Sequence, residues 1–150
     1  MKKFMNKEEM TDAIVTAKKT KGLKWSDIAA SADMSTPFVT SACLGMNTAP
    51  EDAAKKICAI LDLGDDVCTA LQEFPHKEWS REVPTDPVIY RLYEMIGVYG
   101  PTIKEIIHEQ CGDGIMSAID FNMEVEKEDN PKGDRVVITL SGKYLAYTPW

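Results

Sequence analysis

Arginine is scarce in this sequence, occurring only at Arg81, Arg91 and Arg135. Positive charge of any kind is outweighed: 17 lysines and arginines face 24 aspartates and glutamates, for a net charge of -7. A nucleic-acid binder needs the opposite balance, because contacts to phosphate are made by cationic side chains. Histidine is limited to His76 and His108. The four cysteines (Cys43, Cys58, Cys68, Cys111) form no CxxC pair. With no set at zinc-ligand spacing, no metal is expected, and the thiols are expected to be buried in a reducing cytoplasm. No apolar run approaches the length of a bilayer span, and the opening MKKFMNKEEMTDA is basic with no apolar stretch behind it. Neither a membrane partner nor a signal peptide is expected.

What is present in the first half is a series of short helical patterns. Asn6 and Glu9 have capping-box spacing, and Met10, Ala13, Ile14 and Ala17 follow as an apolar stripe that Gly22 stops. Ser26 is expected to cap a second helix through Ala32. Ser35 or Thr36 is expected to cap a third, with Pro37 in its first turn and Gly45 after its end. Thr48 and Glu51 suggest another capping box, opening a helix that turns Ala53, Ile57, Ile60 and Leu61 inward and ends at Gly64. A fifth helix is expected from about Val67 to Phe74. PHKEWSREVPTDP, from Pro75 to Pro87, holds three prolines and a run of charges, and reads as an extended linker.

Beyond the linker, Val88–Tyr99 is apolar almost without interruption, and Gly100–Pro101 reads as its stop. Thr102 and Glu105 suggest a fresh capping box for a second helix to about Cys111. After Gly112 the period changes to two: Ile119, Phe121, Met123 and Val125 alternate with polar residues, as in a half-buried strand. EDNPKGD, Glu128–Asp134, reads as a hairpin loop, and RVVITL as the return strand. The expected fold class is therefore α+β: a five-helix head of helix-turn-helix (repressor-like) type over 1–75, a linker over 76–87, and a C-terminal domain of two helices plus a β-hairpin over 88–150. A lone hairpin is marginal in water, and a helix that is apolar all round needs covering. The C-terminal half thus calls for a second copy of the chain.

WSDIAASADMSTPFVTSACLG, Trp25–Gly45, has the layout of a DNA-reading helix pair. Between Trp25 and Ala54, however, there is no lysine or arginine, while Asp27, Asp33, Glu51 and Asp52 are present. A recognition helix offering Thr36, Thr40 and Ser41 without cationic support is repelled by phosphate, so no nucleic-acid partner is expected.

Arg91 and Glu94 interrupt the apolar run at helical i, i+3 spacing and share a face. A surface ion pair of this kind is worth only about 0–1 kcal/mol. Arg before Glu is also the less favourable order, and the surroundings are apolar. The other reading is a carboxylate fixing a guanidinium for an anion. Ser117, in GDGIMSAID, falls on the apolar face at the start of the strand. It either satisfies local backbone or aims a hydroxyl into the same cavity as Arg91. It lacks the G-x-S-x-G elbow and the neighbouring histidine of a serine nucleophile.

DPVIYRLYEMIGVYGPTIKEIIHEQCGDGIMSAIDF and VITLSGKYLAYTPW closely resemble the cyanase family, also called cyanate hydratase or cyanate lyase. The resemblance covers nearly the whole chain and is most specific in YRLYEM, YGPTIKE, GDGI-SAI and GKYL. It departs mainly in the N-terminal half and at Met116 and Trp150. The resemblance implies a lyase that converts cyanate and bicarbonate to ammonia and carbon dioxide, with bicarbonate as co-substrate and no cofactor. It implies catalytic roles for Arg91, Glu94 and Ser117, and pocket-lining positions at Ile115 and Leu145. It also implies a decamer of five dimers with interlaced C-terminal domains, and sites shared between chains. Two other classes stand beside it: a helix-turn-helix regulator with a dimerisation tail, and an oligomeric scaffold without chemistry.

Overall fold

A computed structural model describes residues 4–75 and 83–150 of the chain. Residues 76–82 of the expected linker, with His76 and Arg81, lie outside the described residues. The fold class is α+β: among the described residues, six helices are followed by a two-stranded antiparallel hairpin. The chain separates into two compact units, Met1–Lys77 with Glu124–Val137, and Glu78–Met123 with Ile138–Trp150.

The helical head is built from α1 (Lys7–Lys21), α2 (Trp25–Ala32), α3 (Thr36–Cys43), α4 (Glu51–Leu61) and α5 (Asp65–Gln72). Asn6 and Glu9 form the expected capping box, each side chain accepting from the other residue's backbone N–H at 2.8 and 3.0 Å. Gly22 ends α1 in the left-handed region, at φ 65°. Ser35 caps α3 by accepting from the Phe38 N–H.

Three caps fall elsewhere than expected. The N-cap of α2 is Lys24, whose N–H donates to Asp27 at 2.8 Å, so Ser26 lies inside the helix. Thr48 does not cap α4. Pro50 takes the N-cap position, Glu51 is already helical, and the Thr48 hydroxyl donates instead to the Glu73 carbonyl beyond α5. Asp62, in left-handed conformation, ends α4, while Gly64 is the N-cap of α5 and starts that helix before Val67.

Met10, Ile14, Ile28, Val39, Ile57 and Leu71 are fully buried and form the centre of the head. Side chains of this size each contribute roughly 1.5–3 kcal/mol on burial. Ala29, Ala32, Ala42, Ala53, Ala54 and Ala70 are buried between them. Having only a methyl group, they let five short helices approach closely.

Two of the four cysteines belong to this core, Cys43 and Cys58. Cys68 is half-buried and Cys111 exposed, so the expectation of buried thiols holds for only part of the set. Burial pushes the Cys43 thiol up to about 12. Burial, with Cys68 alongside, pushes Cys58 up to about 12 as well. Since the thiolate is the reactive form, both should stay unlabelled by a thiol reagent near pH 8 until the head unfolds. Mass spectrometry of the labelled peptides checks this, and rapid labelling of Cys43 in the folded protein would contradict it.

The second unit is organised by α6 (Pro87–Cys111). Asp86 caps it by accepting from the Val88 and Ile89 N–H groups, with Pro87 in the first turn. The expected break at Gly100–Pro101 does not occur. One helix runs through, and Thr102 and Glu105 lie in its interior instead of forming a cap. A proline clashes with the Cβ of the residue before it and so drives that residue out of helical geometry. Gly100 has no Cβ, so the ring is accommodated and the helix continues.

None of the 25 residues of α6 is buried, and large apolar side chains from Val88 to Ile106 are exposed along it. Exposed apolar surface of this extent marks an interaction face. Among the described residues no helix is long and apolar enough to cross a membrane.

The hairpin consists of β1 (Gly114–Glu128) and β2 (Arg135–Ala146), both longer than expected. Its loop falls where expected. Gly133 turns at φ 114°, and Asn130 accepts from the backbone N–H groups of Lys132 and Gly133. Lys127 pairs with Asp129 and Asp134.

Candidate functional site

Arg91 and Glu94 lie one turn apart near the start of α6, with Nη1 and Oε2 separated by 3.6 Å. The guanidinium also sits 5.5 Å from the centre of the Tyr90 ring. The pair therefore forms as the spacing predicts. Within a single chain it is open, with side-chain exposures of 68% and 50%. At 3.6 Å the contact is an ion pair longer than a hydrogen bond, and it leaves the five guanidinium donors uncommitted to Glu94.

Ser117 is the one buried polar side chain among the described residues, at 6% exposure. Its hydroxyl oxygen accepts from the Ile119 N–H at 3.1 Å and the Asp120 N–H at 3.0 Å. Local backbone satisfaction, one of the two readings open from sequence, is thus what the chain displays. It has a chemical corollary. A hydroxyl carries two lone pairs and one proton. With both lone pairs engaged, Ser117 has only its proton left to offer, and it becomes a dedicated donor. The strict alternation expected for this strand fails here: Ser117 is buried while Ile119, two residues on, is 98% exposed. The Ile119 and Asp120 N–H groups are turned to the Ser117 hydroxyl within the strand.

Two glycines bring β2 against the start of β1. A Cβ built on Gly114 would overlap the Leu145 carbonyl, and one built on Gly142 would overlap the Ser117 carbonyl and lie 2.5 Å from Met116 Cγ. Ile115, Ser117 and Leu145 are thereby gathered at one end of the hairpin, with Ile115 and Leu145 exposed in the single chain. This end is tied down on both sides. The Tyr147 N–H donates to the Asp113 carbonyl at 3.0 Å, and His108 Nε2, on the last turn of α6, lies 3.4 Å from the Gly114 carbonyl.

Two groups result: Arg91 with Glu94 on the helix, and Ser117 with Ile115 and Leu145 at the hairpin end. Among the described residues no hydrogen bond or ion pair joins the two within one chain. Gly142 and Gly114 escape a reading of the sequence, because their importance depends on strand register. The GKYL motif was the available signal for the first of them.

No three His, Cys, Asp or Glu side chains gather where they could hold a metal ion, among the described residues. The helical head offers an open groove of about 500 Å³ along α1, lined by Asp12, Thr16, Thr20 and Lys21 and by Leu61–Leu63. It contains none of the candidate site residues. On α3, Ser41 already accepts from Asn47 Nδ2 at 2.7 Å, and Thr40 is half-buried.

Comparison with known proteins gives matches along both halves. The family described as "Cyanate hydratase, N-terminal" matches residues 7–75, and that described as "Cyanate lyase C-terminal domain" matches residues 81–149. The chain is 60% identical to a cyanate hydratase of Teredinibacter turnerae over 146 residues, covering 97% of this chain and 100% of the relative. It is 53% identical to a cyanate hydratase of Marinomonas sp., with the same coverage. The crystal structure of cyanase from T. urticae superposes with a TM-score of 0.82 at 34% identity, covering 91% of this chain and 96% of that one.

Proposed function

The chain belongs to the cyanate hydratase family of lyases, and from that premise we propose that it decomposes cyanate with bicarbonate, using Arg91, Glu94 and Ser117. The observation that carries the chemistry is the Arg91–Glu94 pair, a guanidinium beside a carboxylate in the Val88–Tyr99 stretch of α6, whose other residues are apolar or glycine.

Cyanate and bicarbonate are both small anions and repel each other in water. A fixed, partly desolvated guanidinium offsets that repulsion and holds the reacting atoms close. A bicarbonate oxygen attacks the cyanate carbon, forming a C–O bond and a dianionic adduct. Charge accumulates at this step, and it is best stabilised by donors already in place. Arg91 and the Ser117 proton are such donors. Uptake of one proton and cleavage of the bicarbonate C–O bond release carbon dioxide and leave carbamate. A second proton then divides carbamate into ammonia and a second carbon dioxide. Glu94 orients Arg91 throughout. Ile115 and Leu145 line the pocket and exclude water. The reaction needs bicarbonate as co-substrate and no resident cofactor or metal.

The site is completed by assembly. Exposed apolar side chains along α6 and the hairpin support a homo-oligomer, a decamer built as five dimers with interlaced C-terminal domains. Arg91 and Glu94 of one chain then meet Ser117 of another. The functional division is a helical head over 1–75 that binds no nucleic acid, a linker over 76–87 and a catalytic, dimerising domain over 88–150. Four cysteines without a disulfide among them fit the reducing cytoplasm.

Ammonia release from cyanate, measured in carbonate-free buffer and again with bicarbonate added, tests the reading. Release should require bicarbonate. Equal rates in both buffers would remove bicarbonate from the mechanism, and no release in either would overturn the activity.

A further inference from the structure

We infer that Gly142 is a positioning residue that keeps Ser117 a donor. The inference rests on the proposed role of the Ser117 proton.

The donor state of Ser117 depends on its oxygen receiving the Ile119 and Asp120 N–H groups, both at about hydrogen-bond length, 3.1 and 3.0 Å. Those two bonds hold only while the peptide of Ser117 stays in its present place. On the other side of that peptide is Gly142. Any Cβ there would overlap the Ser117 carbonyl oxygen, which is backbone and cannot swing aside as a side chain can. The second obstruction, Met116 with Cγ at 2.5 Å and Sδ at 3.3 Å, is a flexible side chain and can yield. Gly142 is not among the residues of positive φ, so no special backbone conformation demands glycine at this position. The requirement is the close approach of two backbones. A methyl group at 142 pushes the Ser117 peptide away from β2 and draws the hydroxyl from under the two N–H groups. Its lone pairs are then free, and the proton is no longer reserved for substrate.

The test uses the full-length, assembled protein. Amide hydrogen exchange at Ile119 and Asp120 should be slow in the parent and markedly faster in Gly142→Ala. Ammonia release should fall roughly 100-fold, the cost of misplacing a catalytic group by about an ångström, and the loss should appear in kcat more than in KM. Adding Gly142→Ala to a Ser117→Ala protein should then cost little more, because the two act as one unit. Met116→Ala should not restore activity to Gly142→Ala. If Gly142→Ala does not fold alone, it is co-refolded with an excess of parent chains, and exchange at Ile119 and Asp120 is read on the isotope-labelled variant chains.

Unchanged exchange at the two amides, full additivity with Ser117→Ala, or rescue by Met116→Ala would each overturn the inference. If the parent protein releases no ammonia from cyanate, the proposed function fails, while the exchange measurement still judges the Gly142 contact.

Discussion

Arg91→Lys is expected to lower ammonia release by at least about 100-fold, the usual cost of removing a donor aimed at charge that develops during reaction. Charge is conserved in this substitution, so the loss isolates geometry. Arginine presents a planar fork that meets a carboxylate-like anion through two parallel N–H groups while a third donor faces Glu94. Lysine presents a compact, strongly hydrated ammonium. With Nη1 held 3.6 Å from Glu94 Oε2, the guanidinium has one edge assigned and the others available. A lysine drawn toward Glu94 has no second edge to offer. The core of the helical head contains neither residue, so its thermal unfolding should be unaffected. The check is steady-state ammonia release with saturating bicarbonate, alongside circular dichroism. Turnover near that of the parent would take Arg91 out of the reaction.

Separating the subunits is expected to remove activity altogether while the five helices of the head stay folded. The head buries a complete apolar centre of its own, from Met10 to Leu71. The second unit does not. Val88, Ile96 and Val98 on α6 are each more than 60% exposed, and Ile119 on β1 is almost entirely so. Every such side chain gains roughly 1.5–3 kcal/mol when fully covered, so the proposed association would supply the stability that this half of the chain lacks alone. The helix carrying Arg91 and Glu94 and the strand carrying Ser117 both belong to that half. Sedimentation through a dilution series, or in low denaturant, paired with the ammonia assay, distinguishes the outcomes. A sedimenting monomer with turnover would refute a site shared between chains.

How far the sequence could be read depended on how local each determinant was. The Asn6–Glu9 box and the Ser35 cap need only three residues of context, and both form as expected. Thr48 and Glu51 have the same spacing, but Pro50 between them starts the helix two residues late and leaves Thr48 to bond elsewhere. Gly100–Pro101 pairs two helix breakers and predicts a stop. The missing Cβ of the first accommodates the ring of the second, and their joint effect is the reverse of the separate ones. Arg91 and Glu94 were visible because one helical turn relates them. Ser117 is buried, although Ile119, from which the period-two count starts, is exposed in the single chain; its donor character rests on the two N–H groups of Ile119 and Asp120, which no periodicity announces. Gly142 was beyond reach: nothing in GKYL states that it will lie against residue 117, because register is a property of the paired strands.

Pro101 has one more consequence. With no N–H at this position, the Gly97 carbonyl loses its usual partner four residues on, and the hydrogen-bond ladder of α6 has a missing rung near its middle. In mechanical terms the helix is two stiff rods with a softer joint. The second rod is anchored where His108 meets the Gly114 carbonyl at the foot of the hairpin. The first carries Arg91 and Glu94. Strain entering at one end is therefore poorly transmitted to the other, so a shift of the segment that carries Arg91 and Glu94 need not disturb the strands of the hairpin.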